Sequence, residues 1–328
     1  MKIFLVAEFS HGALGTSYSS VFKNLGNDVI EFNINSKTGF LSPFLKTINL
    51  NKIFISKVLE VKPDLIFIIK GSFISPETLK EIKNRISVSL FCFNPDNPFN
   101  LNKGASNENI RKCIPLYDCY FIWGKFLIPQ LLKAGAKRAE YLPFAYDPEL
   151  HYPVSVNEEE KKIFGNDIAF IGSYDKEREE FLLNLIDYAL AIWGNGWNKL
   201  PIFSPLRKKW KGRDAIGKDF SKVCNASKII LNHIRAQNGN AHNMKTFEIP
   251  ACGGFMLTNR TKEQCGFFEE GKEICCFETP DELKNKIKQF LNNYETRKNI
   301  SKNAYDKVQK HSYNVRIKEI LNRCSTVK

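Results

Sequence analysis

The chain alternates short apolar runs with segments of helical period, and it does so twice. In the first half the runs are KIFLVA (2–7), DVIEFN (28–33), DLIFII (64–69), SVSLFCF (87–93), DCYFIW (118–123) and AEYLPF (139–144). They are rich in Ile, Phe and Val and mostly lack strict apolar–polar alternation, the pattern of strands buried on both faces. The segments between them are long enough for crossover helices, so a parallel sheet is predicted. PFAYDPELHYPVSVNEEEKK (143–162), with three prolines, interrupts the pattern as a linker. The alternation then resumes with DIAFIG (167–172), ALAIWG (189–194), KIILNHI (228–234), GFMLT (254–258) and EICCF (273–277), and an amphipathic helix is predicted over 176–188. Helical segments follow at 280–293, 294–310 and 313–324. Two α/β domains with open parallel sheets are therefore predicted, over 1–150 and 151–310. Ligands of such sheets bind at the strand carboxyl ends, and a cleft between two such domains is the default site.

Composition changes this picture little. Of 328 residues, 43% are hydrophobic and 25% charged, an ordinary globular balance. No run approaches the roughly 18 apolar residues of a membrane helix. The opening MKIFLVAEFS is broken by Glu8 too early for a signal-peptide core, so a cytosolic protein is expected. Nine cysteines without framework spacing, CxxC pairs or a Cys/His cluster fit a reducing compartment and no structural zinc. Charge is more informative. The net +13 is uneven: residues 1–150 carry 18 basic and 13 acidic side chains, whereas 284–328 carry 12 basic and 3 acidic, a net of +9. RKKWKGR (207–213) packs five basic residues into seven. Such a field favours a polyanion or peripheral contact with an anionic membrane surface, the plain alternative being solvated lysine-rich helix faces. With no RNP-like or OB-like pattern, nucleic acid is not an expected partner.

Chemistry concentrates in KIILNHIRAQNGNAHNMKTFEIPACGGFMLT (228–258), which reads strand, polar loop, helix, turn, strand. The helix is predicted to start near Asn243, where unpaired backbone N–H groups and the helix dipole would attract an anion. Lys245 in the first turn opposes that dipole unless an anion is bound. Glu248 lies three residues on and shares its face. A lysine for phosphate beside a carboxylate for hydroxyls suits a nucleotide; a plain Lys–Glu surface pair is the alternative. An NAD-dependent reading of the first strand, with Glu31 after the second, fails because Gly12 and Gly15 do not complete a GxGxxG.

KTFEIPACGGFMLT, the EQCGFFEEGKEICCFETPDELKNKIKQFLNN that follows and HSYNVR (311–316) resemble the C-terminal half of the spore-maturation-type, group-1-like glycosyltransferases. FIGSYDKERE (170–179), IWGNGW (192–197), YLPFAYDP (141–148) and, more loosely, FNPDNP (93–98) extend the likeness. The resemblance implies two Rossmann-like domains facing across a cleft (the GT-B fold), the first on the acceptor side and the second on the donor side. It also implies that 311–328 returns to the first domain as a helix, with His311 and Tyr313 packing there. Glu248 would hold the donor ribose and Lys245, where the family usually has Arg, the diphosphate. Asn240, His242 and Asn243 of the preceding loop, Gly172 and Ser173 after the first strand of the second domain, Arg178 on its helix, and Arg213 with Trp197 near the base would complete the donor site. Asn240 stands where retaining relatives carry a second glutamate, and an amide is neither acid nor base. A base for the acceptor hydroxyl would then come from His11 or Asp96, on strand-end loops of the first domain. No metal or other cofactor is expected. The implied activity is transfer from a nucleotide sugar to a cell-envelope glycan, lipid-linked or protein acceptor; the alternative is a non-catalytic nucleotide- or glycan-binding protein of the same fold in surface-layer assembly.

Overall fold

A computed structural model describes residues 1–34, 43–100 and 105–325. It divides into two units, Met1–Pro143 with Tyr313–Lys328, and Phe144–Ser312. The switch falls at 143/144, a few residues before the sequence-predicted boundary of 150.

The first unit holds β1 (Lys2–Ala7), β2 (Asp28–Asn33), β3 (Leu65–Ile69), β4 (Ser89–Asn94), β5 (Cys119–Ile122) and β6 (Ala139–Tyr141), in the order β2-β1-β3-β4-β5-β6. Every pairing is parallel. All five residues of β3 are buried, as a central strand covered by helices requires. The edge strand β2 buries only Phe32. The crossovers are α1 (Leu14–Asn24), α2 (Pro43–Val61), α3 (Pro76–Arg85), α4 (Glu108–Cys113) and α5 (Ile128–Lys133). Ser75 caps α3, its hydroxyl accepting from Thr78 N–H, and Pro76 fills the first helical position, where no N–H is needed. Gly15 lets α1 lie against the end of β1: a Cβ there would stand 2.3 Å from the Glu8 carbonyl oxygen. Phenylalanines 4, 22, 54, 67, 91, 93 and 121 fill the core with no exposure.

The second unit holds β7 (Ile168–Ile171), β8 (Leu190–Trp193), β9 (Ile229–Asn232), β10 (Met256–Asn259) and β11 (Cys275–Phe277), again all parallel, in the order β11-β10-β9-β7-β8. Its helices are α6 (Glu158–Phe164), α7 (Lys176–Leu183), α8 (Lys218–Ala226), α9 (Lys245–Ala251), α10 (Lys262–Phe267), α11 (Pro280–Leu291) and α12 (Tyr294–Val308). A capping box, Asn157 with Glu160, starts α6. The helix predicted over 176–188 stops at Leu183; Ile186–Tyr188 instead turn towards β8.

The remaining helix, α13 (Tyr313–Ser325), belongs to the first unit, where it packs on α1. Tyr313 lies 5.4 Å from Tyr18, ring to ring, and Ile317 and Ile320 are fully buried. His311 behaves differently from the expectation that grouped it with Tyr313. It packs on Phe247, Phe267 and Phe268 of the second unit, one side of the chain's crossing, while Tyr313 packs on the other. No described helix is long and apolar enough to cross a membrane.

Candidate active site

Strand order reverses between β1 and β3 in the first sheet and between β7 and β9 in the second, and loops diverge at such switch points. In the second unit, the turn after β7 carries Gly172 and Ser173, and the loop after β9 leads into α9. The described cavities lined by Lys228, Gly253 and Arg297, and by Asp64, Ser89 and Asp118, open instead at the amino ends of the strands. The strand-end chemistry, not cavity size, therefore locates the site.

Glu248 is its centre. The carboxylate is 4% exposed, accepts from Lys245 Nζ at 2.7 Å and has His151 Nε2 3.9 Å from Oε1. Burial alone would raise its pKa, but Lys245 and His151 outweigh burial and hold it below the ordinary carboxylate range. Burial lowers His151 in turn, despite the pull of Glu248. Its Nδ1 accepts from Asp147 N–H at 3.2 Å, so the neutral ring carries its proton on Nε2, towards Glu248. At neutral pH Lys245 is thus the partner that keeps Glu248 charged. Phe220 of α8 flanks both partners, 4.9 Å from Lys245 Nζ and 5.3 Å from the His151 ring. His151 went unrecognised in the sequence because it stands in the linker, where no period or motif singles it out.

The helix end itself contributes less than the sequence suggests. α9 has seven residues, and the N–H groups of Thr246, Phe247 and Glu248 are already bonded to the carbonyls of Asn243 and Met244. The anion-binding expectation rests on the Lys245 ammonium. Asn243 braces the loop: its amide donates to Asn232 Oδ1 at 2.8 Å and its Oδ1 accepts from Thr246 N–H, while Thr246 Oγ1 donates to Gln264 Oε1 at 2.9 Å. His242, expected at the donor, is fully buried. Its Nε2 accepts from Phe144 N–H at 3.1 Å and Nδ1 donates to Glu263 at 2.7 Å, so both nitrogens are committed inside the protein. This corrects the expectation: His242 positions the loop. Asn240 is exposed, its carbonyl accepting from Glu263 N–H.

Gly172 is corrected in the same way. Its N–H donates to the Trp193 carbonyl and its own carbonyl accepts from Trp197 Nε1, both at 2.8 Å, so it offers no spare amide. Trp197 is core, with no exposure. Ser173 is exposed at the mouth of the turn. Arg178 braces that turn by donating to the Ser173 carbonyl at 2.7 Å. Arg213 lies over Trp193 and Phe164 and pairs with Asp219. Neither arginine is brought to Glu248 by a contact in the structure.

In the first unit His11 is exposed on the loop after β1, and Asp96 follows β4. Asp96 Oδ2 accepts from Lys70 Nζ at 2.7 Å. Lys70 was not singled out in the sequence. It follows β3 at φ +67°, a left-handed conformation for a non-glycine residue, next to Gly71 at φ +70°. The signal was present: a lone basic residue directly between an apolar strand and a glycine. Cys265, Glu270 and Cys276 form a cluster that spacing did not suggest, with three ligand atoms within 4.8 Å. Arg260 engages both Glu270 oxygens, at 2.9 and 2.8 Å, and burial raises the Cys276 thiol, both of which disfavour a cation there.

His233, at the carboxyl end of β9, stacks on Phe181 at 4.4 Å. Burial, then Arg178 and Arg235, push it down to about 4. A depressed histidine stabilises the fold fully above its unfolded value of about 6.5 and loses that contribution as pH falls towards 4. Wild type is expected to lose roughly 3 kcal/mol over this window relative to His233→Gln. Urea midpoints of both proteins between pH 7 and 4 measure it; parallel curves would assign the loss to other groups.

Two doubly covered parallel sheets, with a buried carboxylate and its lysine beyond the second switch point, have the architecture of the GT-B fold. Residues 177–322 match the family described as glycosyl transferase-like, a span running from α7 through the site into α13. Solved structures agree on the fold. Sucrose-phosphate synthase from Thermosynechococcus elongatus superposes with a TM-score of 0.74 at 11% identity, covering 100% of both chains. Anabaena HepE in complex with UDP and glucose gives 0.68 at 13%, covering 99% of this chain and 100% of that one. TarM from S. aureus gives 0.61 at 14%, covering 84% and 59%. No curated protein matches the sequence significantly.

Proposed function

We propose that this protein moves a sugar from a nucleoside-diphosphate donor to a cell-envelope glycan, lipid-linked or protein acceptor without a metal ion, at the inner face of a membrane. Among group-1 transferases, the run from Lys245 to Gly253 and His311–Arg316 favours the spore-maturation type. One observation carries the reading: a buried carboxylate held charged by Lys245, one turn apart, at the strand-order switch of the second sheet. Two oxygens of Glu248 suit the two hydroxyls of a ribose, and Lys245 suits the diphosphate as a point charge. That HepE was solved with UDP-glucose supports a UDP-sugar as donor. The acceptor oxygen attacks the anomeric carbon, the bond to the diphosphate breaks, and the electron pair leaves with the nucleoside diphosphate. The acceptor proton goes to His11 or Asp96, and Lys245 offsets the charge on the leaving group.

The test is a thermal-shift panel of UDP, GDP, dTDP, CDP, ADP and NAD, with and without chelator. A nucleoside diphosphate at 100 times its Kd adds about 2.7 kcal/mol to the native state. One nucleoside diphosphate is expected to shift the midpoint, unchanged by chelator, and its sugar conjugate to be hydrolysed slowly without acceptor. Binding without any turnover would favour the non-catalytic reading that Asn240 allows. A shift with NAD alone would overturn the proposal.

A further inference from the structure

At the amino end of the second sheet a cavity of about 580 Å³ lies against α12. Tyr294, Arg297, Lys298, Ser301, Lys302 and Tyr305 line it, and their spacing of three and four puts them on one face of that helix. The adjoining face carries the apolar residues Ile300, Ala304 and Val308, buried together with Arg297. A face made of two tyrosines, three basic residues and a serine is not built for the core. Asn225, Ser227 and Lys228 line the facing wall, and no carboxylate lines the cavity. Lys228 is neutralised by Asp167 at 2.7 Å, and Arg297 donates to the carbonyls of Phe290 and Leu291, which fixes it in place. Lys298 and Lys302 are exposed and have no carboxylate partner among the described residues. Lys298 and Arg297 both sit 5.9 Å from the Tyr294 ring. Tyr294 is 61% exposed.

We infer that this groove binds a sugar chain bearing carboxylate or phosphate groups. Cations spaced along a helix match charges spaced along a chain, and the exposed Tyr294 ring gives a sugar ring an apolar face on which to stack. The site also gives a role to the positive charge concentrated after residue 284. It deepens the transferase reading by naming an anionic glycan as the polymer held, and rests on that reading only for the link to an acceptor.

The test is binding of a polygalacturonate oligomer to the full chain, by calorimetry at low and high salt, against neutral dextran and inorganic pyrophosphate. Wild type is expected to bind the oligomer, to lose affinity with salt and to ignore dextran. Lys298→Ser/Lys302→Ser is expected to weaken binding about tenfold, and Tyr294→Ala to weaken it without changing the salt slope. Both changes are at exposed side chains, and an unchanged nucleotide-induced thermal shift in each variant will show that the donor site is intact. The inference is overturned if wild type does not bind, if the double variant binds equally well, or if pyrophosphate binds as tightly as the oligomer. None of these outcomes bears on Glu248, so failure here and failure of the transferase reading are distinguishable.

Discussion

Glu248→Ala is expected to lower sugar transfer, as kcat/KM for the nucleotide sugar, by roughly 10²–10⁴-fold. On the proposed reading the carboxylate accepts two hydrogen bonds from ribose hydroxyls, and each such bond to a charged group contributes about 1.5–3 kcal/mol. The fold should suffer less. Lys245, left without its partner, has a side chain 29% exposed and can turn to water. His151, neutral and bonded through Nδ1 to Asp147 N–H, needs no charge from Glu248. A lost nucleotide-induced thermal shift with a nearly unchanged apo midpoint is therefore the expected signature. A large drop in the apo midpoint, or retained nucleotide binding, would make Glu248 a structural residue. Lys245→Ala should weaken nucleoside diphosphates more than free nucleosides, since Lys245 meets the diphosphate as well as keeping the ribose-binding Glu248 charged.

Gly194→Ala is expected to destabilise the second unit by about 4 kcal/mol or more. Gly194 follows β8 at φ +150°, where side chains are strained. A Cβ there would stand 2.0 Å from the Gly172 carbonyl oxygen and 2.5 Å from its carbon. Both are backbone atoms, pinned from two sides: Gly172 N–H donates to the Trp193 carbonyl and its oxygen accepts from buried Trp197. Gly194 is equally held, its N–H donating to the Arg213 carbonyl at 3.0 Å and its carbonyl accepting from Trp210 Nε1 at 2.9 Å. Relief requires prising the β7 and β8 turns apart. Urea unfolding gives the loss; the Gly212→Ala control also has a positive φ but finds nothing within 4 Å, and is expected to cost only the backbone strain.

Much of the fold was legible because parallel strands buried on both faces leave a continuous apolar signature. All eleven described strands fall on runs that the pattern picks out. The Lys245–Glu248 contact was legible too, because helical spacing fixes which side chains meet. What the sequence concealed is where polar groups spend their hydrogen bonds. His242 and Gly172 sit beside the site in sequence, yet each is bound inward, by Phe144 and Glu263 and by Trp193 and Trp197, through contacts between residues 21 to 98 apart. His151 and Lys70 were missed for the converse reason: tertiary structure brings them to Glu248 and Asp96, and no local pattern announces either.

The second unit is one continuous segment whose two ends lie side by side: Tyr146 N–H donates to the His311 carbonyl at 3.2 Å, and Tyr146 bridges to Ser312. The first unit is interrupted by it and owes Tyr313, Ile317 and Ile320 of its core to the far side of the interruption. On the ribosome, the part made first would therefore be finished last. Residues 144–312 have all their own strands once they emerge, whereas the opening Rossmann-like sheet waits, with the α1 face uncovered, until α13 is translated.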